Sequence, residues 1–382
     1  MKSKFIPILF GLGVVVSTIN LSMDLPGTRE LAMLAFGLLF LLSIRKTLSV
    51  RNGNPFFNKW IYCVAYSYII AFIYQTNAPM NVMNEPLVMA MPLIICVSSA
   101  CTLDMSIEDF KKWFTFFCPL AIIGAIYIIL FNGGGFVILD MYNDAVEKNQ
   151  ICPFFSIISI LSLTYAIERS SGSYLKVLYY VTFVACLLPN VYLSARASLI
   201  STLGACMVVV YSRYKSKGIV VAVLFVMILF CIKGNQIVNL LNQSVIGRRD
   251  LTDFDDLTSG RVSLTERAWE DFLHYFWFGG FADDQFSYSF LSQYSNRPHM
   301  FILWKWLQFG LIGGLGYLIS YLSIFKMMSL AYKLKEHACF GGLFVALFLS
   351  FAEYGSPFGP GMTYVLLYIM VGQMIRKHYL IS

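Results

Sequence analysis

The chain has 382 residues, of which 58% are hydrophobic and 13% charged, and its mean hydropathy is +0.68. A soluble globular domain has about 25% charged residues, so this composition excludes an ordinary soluble fold. The net charge of +7 is not a signal for nucleic acid, because most of the basic excess lies in short loops between apolar runs, where it sets membrane topology.

Apolar runs long enough to cross a bilayer follow one another along the chain. A transmembrane helix needs about 20 mostly apolar residues, and this criterion gives about 12 spans. The predicted fold class is therefore all-α, a polytopic transmembrane helical bundle, with residues 1–382 as a single integral membrane domain. The first run is too long for a signal peptide and is expected to be retained. The runs lie at 5–23, 30–44, 60–79, 86–103, 113–131, 150–167, 177–194, 197–212, 218–234, 300–325, 338–353 and 360–375.

Basic residues fix the predicted orientation of these spans. With the N-terminus in the cytoplasm, the inner loops hold 18 of the 28 Lys and Arg residues, and each short outer loop holds at most one. This bias follows the positive-inside rule. Both termini are therefore predicted to be cytoplasmic, and the long polar loop at 234–299 is predicted to lie on the opposite face.

Part of this long loop is predicted to be an amphipathic helix. The sequence Ser263-Leu-Thr-Glu266 has the spacing of a capping box, and Gly279-Gly280 is expected to end the helix. Polar residues, among them Arg267 and Asp271 at i,i+4, lie on one side. Such a helix would lie on the outer membrane surface or against the bundle. Its apolar residues recur at helical spacing: Leu264, Ala268, Trp269, Phe272, Leu273, Phe276 and Trp277.

Arg196 is the first candidate for chemistry, within Tyr192-Leu-Ser-Ala-Arg-Ala-Ser198 between two apolar runs. A guanidinium at membrane depth costs several kcal/mol unless it is paired or hydrated, so such a residue is by default a functional candidate. The alternative is an ordinary turn residue that reaches the lipid headgroups.

Arg261 is the second candidate, because Thr258-Ser-Gly-Arg261 directly precedes the predicted loop helix. A turn that leads into a helix offers free backbone N–H groups and the positive end of a dipole. An arginine at that point adds a fork that can bind two phosphate oxygens. The alternative is a solvated loop arginine.

His299 and Lys305 lie at the outer mouth of the tenth span. A histidine there can take a proton from a sugar hydroxyl near neutral pH; the alternative is an interfacial residue that anchors the helix. Lys305 is predicted to add positive charge to a binding cavity or to reach the outer interface. Glu353 is a possible partner for one of these cations. Together they suit a lipid-linked, diphosphate-bearing donor, whose leaving charge arginines can stabilise without a metal.

Other chemistries find little support in the sequence. Asp253-Phe-Asp-Asp256 has the DxD spacing that holds a metal and a nucleotide sugar in soluble glycosyltransferases, but a loop of this length cannot supply a nucleotide-binding domain. It is interpreted as a solvated acidic turn. The nine cysteines lie in or beside apolar runs without a CxxC pair, so neither a disulfide framework nor a zinc site is expected.

Four elements resemble the bacterial O-antigen polymerase and O-antigen ligase superfamily. Glu147-Lys-Asn-Gln150 opens a span after an outer loop, and Ser194-Ala-Arg-Ala197 resembles an S-x-R element that starts the next one. Ser259-Gly-Arg261, with Trp269 farther on, resembles the S-G-R…W element of the large loop. Pro298-His299 and Gly310-Leu-Ile-Gly-Gly314 resemble the H-N…G-x-x-G stretch, with Met300 where the family has Asn.

The resemblance implies a metal-independent, cofactor-free glycosyltransferase with a GT-C-like fold. Its donor would be an oligosaccharide on undecaprenyl diphosphate. The resemblance assigns Arg196 and Arg261 to donor diphosphate binding and catalysis, and His299 to the role of catalytic base. Lys305, a candidate by its position in the tenth span, is expected to add charge to the donor site. The protein is expected in the bacterial inner membrane, with its active site facing the periplasm and residues 234–299 forming a large periplasmic loop. The expected partners are this donor, the bilayer and other polysaccharide assembly proteins, with no nucleic acid.

Three functions remain open at this point. A surface-polysaccharide polymerase uses lipid-linked glycan as donor and acceptor, and it is favoured because no feature marks a dedicated lipid A site. An O-antigen ligase would transfer the same glycan to the lipid A core. A transporter or flippase would predict charges within several spans and internal repeats, and few mid-span charges and no evident repeat are found.

Overall fold

The computed structural model describes most of the chain and consists of helices. The prediction of an all-α protein is confirmed, because every described element is helical. The ninth predicted span at 218–234, the acidic turn at Asp253–Asp256, Arg196, His299 and Glu353 lie outside the described residues. Those described are 2–23, 27–50, 55–75, 82–103, 107–132, 145–168, 173–193, 195, 197–215, 261–282, 300–352, 356–358 and 363–380.

Thirteen α-helices lie within these described ranges, together with short 3-10 and π segments. The π segments extend the fifth and the last α-helix, and the 3-10 turns precede the fourth helix and follow the ninth. The helices are α1 Lys2–Met23, α2 Thr28–Val50, α3 Pro55–Tyr74, α4 Leu87–Thr102, α5 Ile107–Tyr127, α6 Ala145–Glu168, α7 Tyr174–Tyr192, α8 Ala197–Lys215, α9 Arg261–His274, α10 Phe301–Gly313, α11 Leu315–Lys333, α12 His337–Ala352 and α13 Val365–Ile375.

Five helical segments are long and apolar enough to cross a membrane: Asp109–Leu130, Gln150–Glu168, Tyr174–Tyr192, Ala197–Lys215 and Leu315–Lys333. Five shorter apolar helices accompany them within the described residues. These segments coincide with predicted spans, which supports a multi-pass membrane protein. Large apolar side chains project from the outside of the bundle, and Phe116 is 84% exposed. Lipid, rather than water, is the solvent that suits such a surface.

Helix α6 forms the centre of the bundle. Its most apolar stretch is 94% buried, against 28% for that of α7, and it contacts α1, α5, α7, α12 and α13. A helix that is apolar on all sides is stable only when neighbours cover it. Two of its hydroxyl side chains donate to carbonyls of the helix itself, Ser156 to Cys152 and Thr164 to Ile160, both at 2.8 Å, and Ser159 donates to the Phe183 carbonyl of α7 at 3.0 Å.

The tenth predicted span differs from its prediction of one continuous helix over 300–325. The chain breaks at Gly310, whose φ of 68° and ψ of −175° are not helical, and α11 then continues to Lys333. The break lies inside α10 and separates its first nine residues, 301–309, from the last three, which lead into α11. Its cause is a tertiary contact with the segment after α9, described below.

The predicted loop helix is confirmed as α9, with two corrections. It begins at Arg261, so Ser263 lies inside its first turn and not at its N-cap. The residues of its predicted apolar face also differ in exposure. Ala268 and Phe272 are buried, whereas Trp269 and Leu273 are about half exposed. Of the two predicted positions for this helix, contact with the bundle is the one observed, because α9 packs against α10.

Many cations predicted for the inner loops meet at one end of the bundle. Lys111 forms an ion pair with Glu168, which lines a cavity together with Lys215 and Lys333. Helix α11 then leads from Lys333 back to its own start at Leu315 and contains 19 residues. Its 18 steps of 1.5 Å span about 27 Å. The basic end and the break at Gly310 are thus separated by about the thickness of a bilayer core.

Candidate functional site

Arg261 and His299 flank the two helices that carry the candidate site. Arg261 is the first residue of α9, and its side chain lies outside the described part of the structure. His299 lies immediately before Met300, which is the extended N-cap residue of α10. The relative placement of α9 and α10 therefore determines how the chain brings these two positions together.

Helices α9 and α10 run side by side in the same direction. The rings of Phe272 and Trp306 stack, with centroids 5.3 Å apart. Farther along both chains, the Leu311 N–H donates to the Phe276 carbonyl at 2.7 Å. The two contacts follow each other in order of increasing residue number along both segments. Helices α9 and α10 therefore begin at the same end of the pair.

This parallel arrangement sets the distances available to the site. From the stacked rings, Arg261 lies 11 residues back along α9, which is about 16 Å. Met300 lies six residues back along α10, which is about 9 Å. These are lengths along each helix, and the contact between Phe272 and Trp306 is the point from which both are counted.

Two glycines hold the ends of this helix pair together. A Cβ atom on Gly279 would lie 2.3 Å from the Gly310 nitrogen, and one on Gly310 would lie 2.4 Å from the Phe278 nitrogen. Both residues have positive φ, at 76° and 68°, a conformation that glycine adopts without steric cost. The two backbones are thus in direct contact, and only glycine fits at either position.

Hydrogen bonds across this glycine contact satisfy the broken helix. Because Gly310 interrupts the helical ladder, the N–H groups that follow it need acceptors from elsewhere. The Leu311 and Ile312 N–H groups donate to the carbonyls of Phe276 and Trp277, at 2.7 and 3.2 Å. The Tyr74 hydroxyl of α3 donates to the Phe278 carbonyl at 2.8 Å. The end of α9 is therefore fastened to the transmembrane bundle.

Lys305 lies inside the bundle on α10, the helix that follows His299 in the sequence. Its ammonium forms an ion pair with Glu85, which precedes α4, and it donates to Gln308 Oε1 at 3.0 Å. It also lies 5.2 Å from the centre of the Tyr317 ring. The positive charge that the sequence predicts for a binding cavity is therefore balanced by a carboxylate and stabilised by a ring face.

Sequence reasoning missed Glu85 and the glycine contact. Glu85 is an acidic residue just before Pro86, at the start of an apolar span. Its position could have indicated that it pairs with a buried cation. Gly310 lies within a stretch that resembles a family motif, but the sequence does not indicate that it interrupts the helix. Nothing in the sequence identifies Phe276 and Trp277 as its partners.

Arg196 lies in the tight connection between α7 and α8. It is outside the described residues, but both of its neighbours are described and buried, Ala195 and Ala197. The Leu199 N–H donates to the Ala195 carbonyl at 2.9 Å, and four residues, 193–196, separate the end of α7 from the start of α8. The role of Arg196 stays a prediction.

Comparison with known proteins addresses this same region. Residues 181–318 match the family model described as O-antigen ligase. The predicted resemblance to the O-antigen polymerase and ligase superfamily is thereby confirmed. No curated protein matches the chain. The matched O-antigen ligase segment runs from α7 into the start of α11 and contains Arg196, Arg261, His299 and Lys305.

The O-antigen ligase match supports a ligase- or polymerase-type function in a membrane protein. Members of this superfamily act on polysaccharide carried by a lipid, which agrees with a chain whose surface suits a bilayer. The match gives no support to a transporter or flippase. The matched residues include the helix pair α9–α10 and the glycine contact.

Proposed function

We propose that the protein is a membrane glycosyltransferase that polymerises glycan repeat units carried on undecaprenyl diphosphate. The observation that supports this proposal is the packing of α9, which begins at Arg261, against α10, which begins two residues after His299 in the sequence. The O-antigen ligase match over 181–318 supports the class of reaction.

In the proposed reaction an acceptor hydroxyl attacks the anomeric carbon of the donor sugar. A new glycosidic C–O bond forms and the bond between that carbon and the diphosphate oxygen breaks. His299 takes the hydroxyl proton, and the electron pair leaves with undecaprenyl diphosphate. Arg196 and Arg261 hold this diphosphate and stabilise its charge as it departs, so the reaction requires no metal ion or other cofactor.

Lys305 is proposed to support donor binding from within the bundle. Since its ammonium is paired with Glu85, it contributes to the local potential as part of a dipole rather than as a lone cation. The ion pair also holds α10, the helix that follows His299, to the residue before α4. Removal of Lys305 is therefore expected to reduce activity less than removal of Arg261.

The proposed topology places both termini in the cytoplasm of a bacterial inner membrane and the active site in the periplasm. It is supported by the basic end of the bundle, which lies about one bilayer core away from the Gly310 break. Alkaline phosphatase fused after Ser382 should be inactive, and the same enzyme inserted near residue 240 should be active. The reverse pattern would refute the orientation.

The decisive experiment supplies purified protein with glycan on undecaprenyl diphosphate. Lengthened chains without lipid A support the polymerase, and transfer to a lipid A core supports the ligase. The ligase is the second candidate because the matched model carries that description. Release of no undecaprenyl diphosphate with either acceptor would refute both enzymes.

Arginine variants test the roles of individual residues in this assay. Arg196→Ala and Arg261→Ala should each reduce turnover at least about a hundredfold, the size of effect seen on removing one group that stabilises a leaving charge. Arg267→Ala is the matched control, because Arg267 is an exposed arginine on the same helix α9. Full activity in either test variant, with folded protein, would refute that residue's role.

A further inference from the structure

A second polar region lies at the basic end of the bundle, far from the candidate active site. Four helix ends enclose a cavity of about 640 Å³ there. They are the last turns of α6, α8 and α11 and the first turn of α12. The reaction proposed above uses none of the residues that line this cavity.

The described lining carries a strong excess of positive charge. Arg213, Lys215, Lys333 and Lys335 face the cavity together with one carboxylate, Glu168, and Glu168 is already paired with Lys111. Four cations that share one space repel one another. An anion in the cavity would relieve this repulsion, and a phosphate has enough oxygens to bind several of them at once.

The apolar part of the lining favours an amphiphile over a free anion. Ile167, Val208 and Val209 line the cavity, and so do Tyr211 and Tyr332, whose rings are apolar and whose hydroxyls are polar. Inorganic phosphate would gain nothing from an apolar wall. A phospholipid would gain from both parts, with its phosphate among the cations and its glycerol region beside the tyrosines.

A path for acyl chains leads along α8 to this cavity. Ile200, Leu203, Met207, Tyr211 and Tyr214 are all more than 40% exposed, and their spacing of three and four residues places them on one face. This face ends in the two tyrosines, the residues that favour the boundary between lipid tails and headgroups. The stripe is therefore suited to acyl chains whose headgroup enters the cavity.

Two of the cations occupy positions that normally favour glycine. Lys215 and Lys335 have φ values of 55° and 60°, and both line the cavity. The Glu336 and Lys335 N–H groups donate to the carbonyls of Ala331 and Tyr332, so Lys335 is the left-handed residue of a helix-ending motif in which glycine is usual. Lysine at both positions places charge at the cavity where the backbone alone would favour glycine.

From these observations we propose that the cavity binds the phosphate headgroup of an anionic phospholipid, in the membrane leaflet at the basic end of the bundle. Basic pockets between transmembrane helices are suited to such headgroups. This inference does not depend on the proposed glycosyltransferase activity, and its test requires no donor or acceptor.

The test measures lipid retention by the full chain. The protein is reconstituted in vesicles of phosphatidylcholine and phosphatidylglycerol, extracted in uncharged detergent and examined by native mass spectrometry. The test variant is Lys215→Gly with Lys335→Gly, which removes two cations where glycine fits the backbone better than lysine. The control is Lys59→Gln with Lys112→Gln, which removes two exposed cations outside the cavity lining.

We expect the wild-type protein and the control to retain phosphatidylglycerol in preference to phosphatidylcholine. Each lysine near a membrane surface contributes about fivefold to the binding of anionic lipid, so the test variant should bind phosphatidylglycerol about 25-fold less tightly. Equal retention by the wild type and the test variant would overturn the proposal. So would an equal loss in the control, or equal retention of the two lipids by the wild type.

A second arm distinguishes the lipid from a soluble phosphate. Thermal unfolding of the delipidated protein is followed with added inorganic phosphate and with chloride at the same ionic strength. No stabilisation by phosphate, together with stabilisation by phosphatidylglycerol that the test variant loses, supports the lipid. If phosphate stabilises the wild type as strongly as phosphatidylglycerol does, and the test variant loses both effects, the cavity is a site for a free anion and the lipid assignment is overturned.

Discussion

The two ends of the bundle hold positive charge in opposite ways. At the end near Gly310, Lys305 is buried beside Glu85 and has an aromatic ring beneath it. At the basic end, Lys333 and Lys335 are exposed and share a cavity with further cations. A buried charge costs several kcal/mol unless it is paired, whereas an exposed charge needs no protein partner.

This difference separates two tasks. A buried pair fixes the helices that carry it, because neither partner can leave without exposing the other to an apolar interior. Exposed cations do not hold protein segments in place, but they remain available to bind an anion from outside the protein. The end near Gly310 is therefore suited to positioning catalytic residues, and the basic end is suited to binding a charged group of the membrane.

The most damaging change to the fixed end should be Gly310→Ala. Its Cβ would lie 2.4 Å from backbone atoms of Trp277 and Phe278, so the segment after α9 must separate from the end of α10, and the hydrogen bonds from Leu311 and Ile312 are lost. We expect most of the protein to aggregate, and any soluble fraction to be cleaved near α9 in limited proteolysis. Size-exclusion chromatography in detergent and mass mapping of the fragments measure both effects.

The matched control for this change is Gly37→Ala in α2. A Cβ at Gly37 meets no heavy atom of the described residues within 4 Å. Alanine also favours the helical conformation over glycine by up to about 1 kcal/mol, so this variant should be at least as stable as the wild type. A Gly310→Ala protein that elutes and resists protease like the control would disprove the glycine contact.

The sequence alone predicted the helices but not the contacts that hold together the end of the bundle near Gly310. Apolar runs locate four of the five membrane-length helices of the described residues within a few residues, because lipid demands a similar length of apolar helix at each crossing. The break at Gly310 depends on acceptors in Phe276 and Trp277, more than 30 residues earlier. A local sequence pattern cannot contain that information. The same holds for Lys305 and Glu85, which are 220 residues apart.

The candidate site was predicted in part for a related reason. Short motifs indicated Arg196, Arg261 and His299. In the structure α9, which begins at Arg261, packs against α10, the helix that follows His299 in the sequence. The start of α9 was misplaced because Ser263-Leu-Thr-Glu266 has capping-box spacing, yet the helix begins at Arg261. A capping pattern is a local preference, and a neighbouring element can extend the helix past it.

An intermediate effect is expected when the buried pair is disrupted. Lys305→Met leaves the Glu85 carboxylate without its cation in a largely apolar setting, which should cost about 3 kcal/mol of unfolding free energy. Glu85→Leu should cost a similar amount for the same reason. Unfolding by SDS in mixed micelles measures the free energy of each variant.

The double variant decides whether the pair itself causes this loss. Lys305→Met with Glu85→Leu replaces two buried charges by apolar groups of similar size, which is often close to neutral. We expect the double variant to recover most of the stability lost in either single variant. If the two losses simply add, the residues act separately and the ion pair is not what holds α10 to the start of α4.

The smallest effect is expected for an ion pair at the basic end. Lys377 Nζ lies 2.6 Å from Glu336 Oε1, and the two side chains are 45% and 29% exposed. Water solvates both groups when the pair separates, so Lys377→Met should cost less than about 1 kcal/mol in the same SDS titration. The effect should shrink further in high salt, since exposed charges are screened, whereas the cost of Lys305→Met should hardly change. A loss for Lys377→Met equal to that for Lys305→Met, and equally insensitive to salt, would mean that the two ends do not differ in how they hold charge.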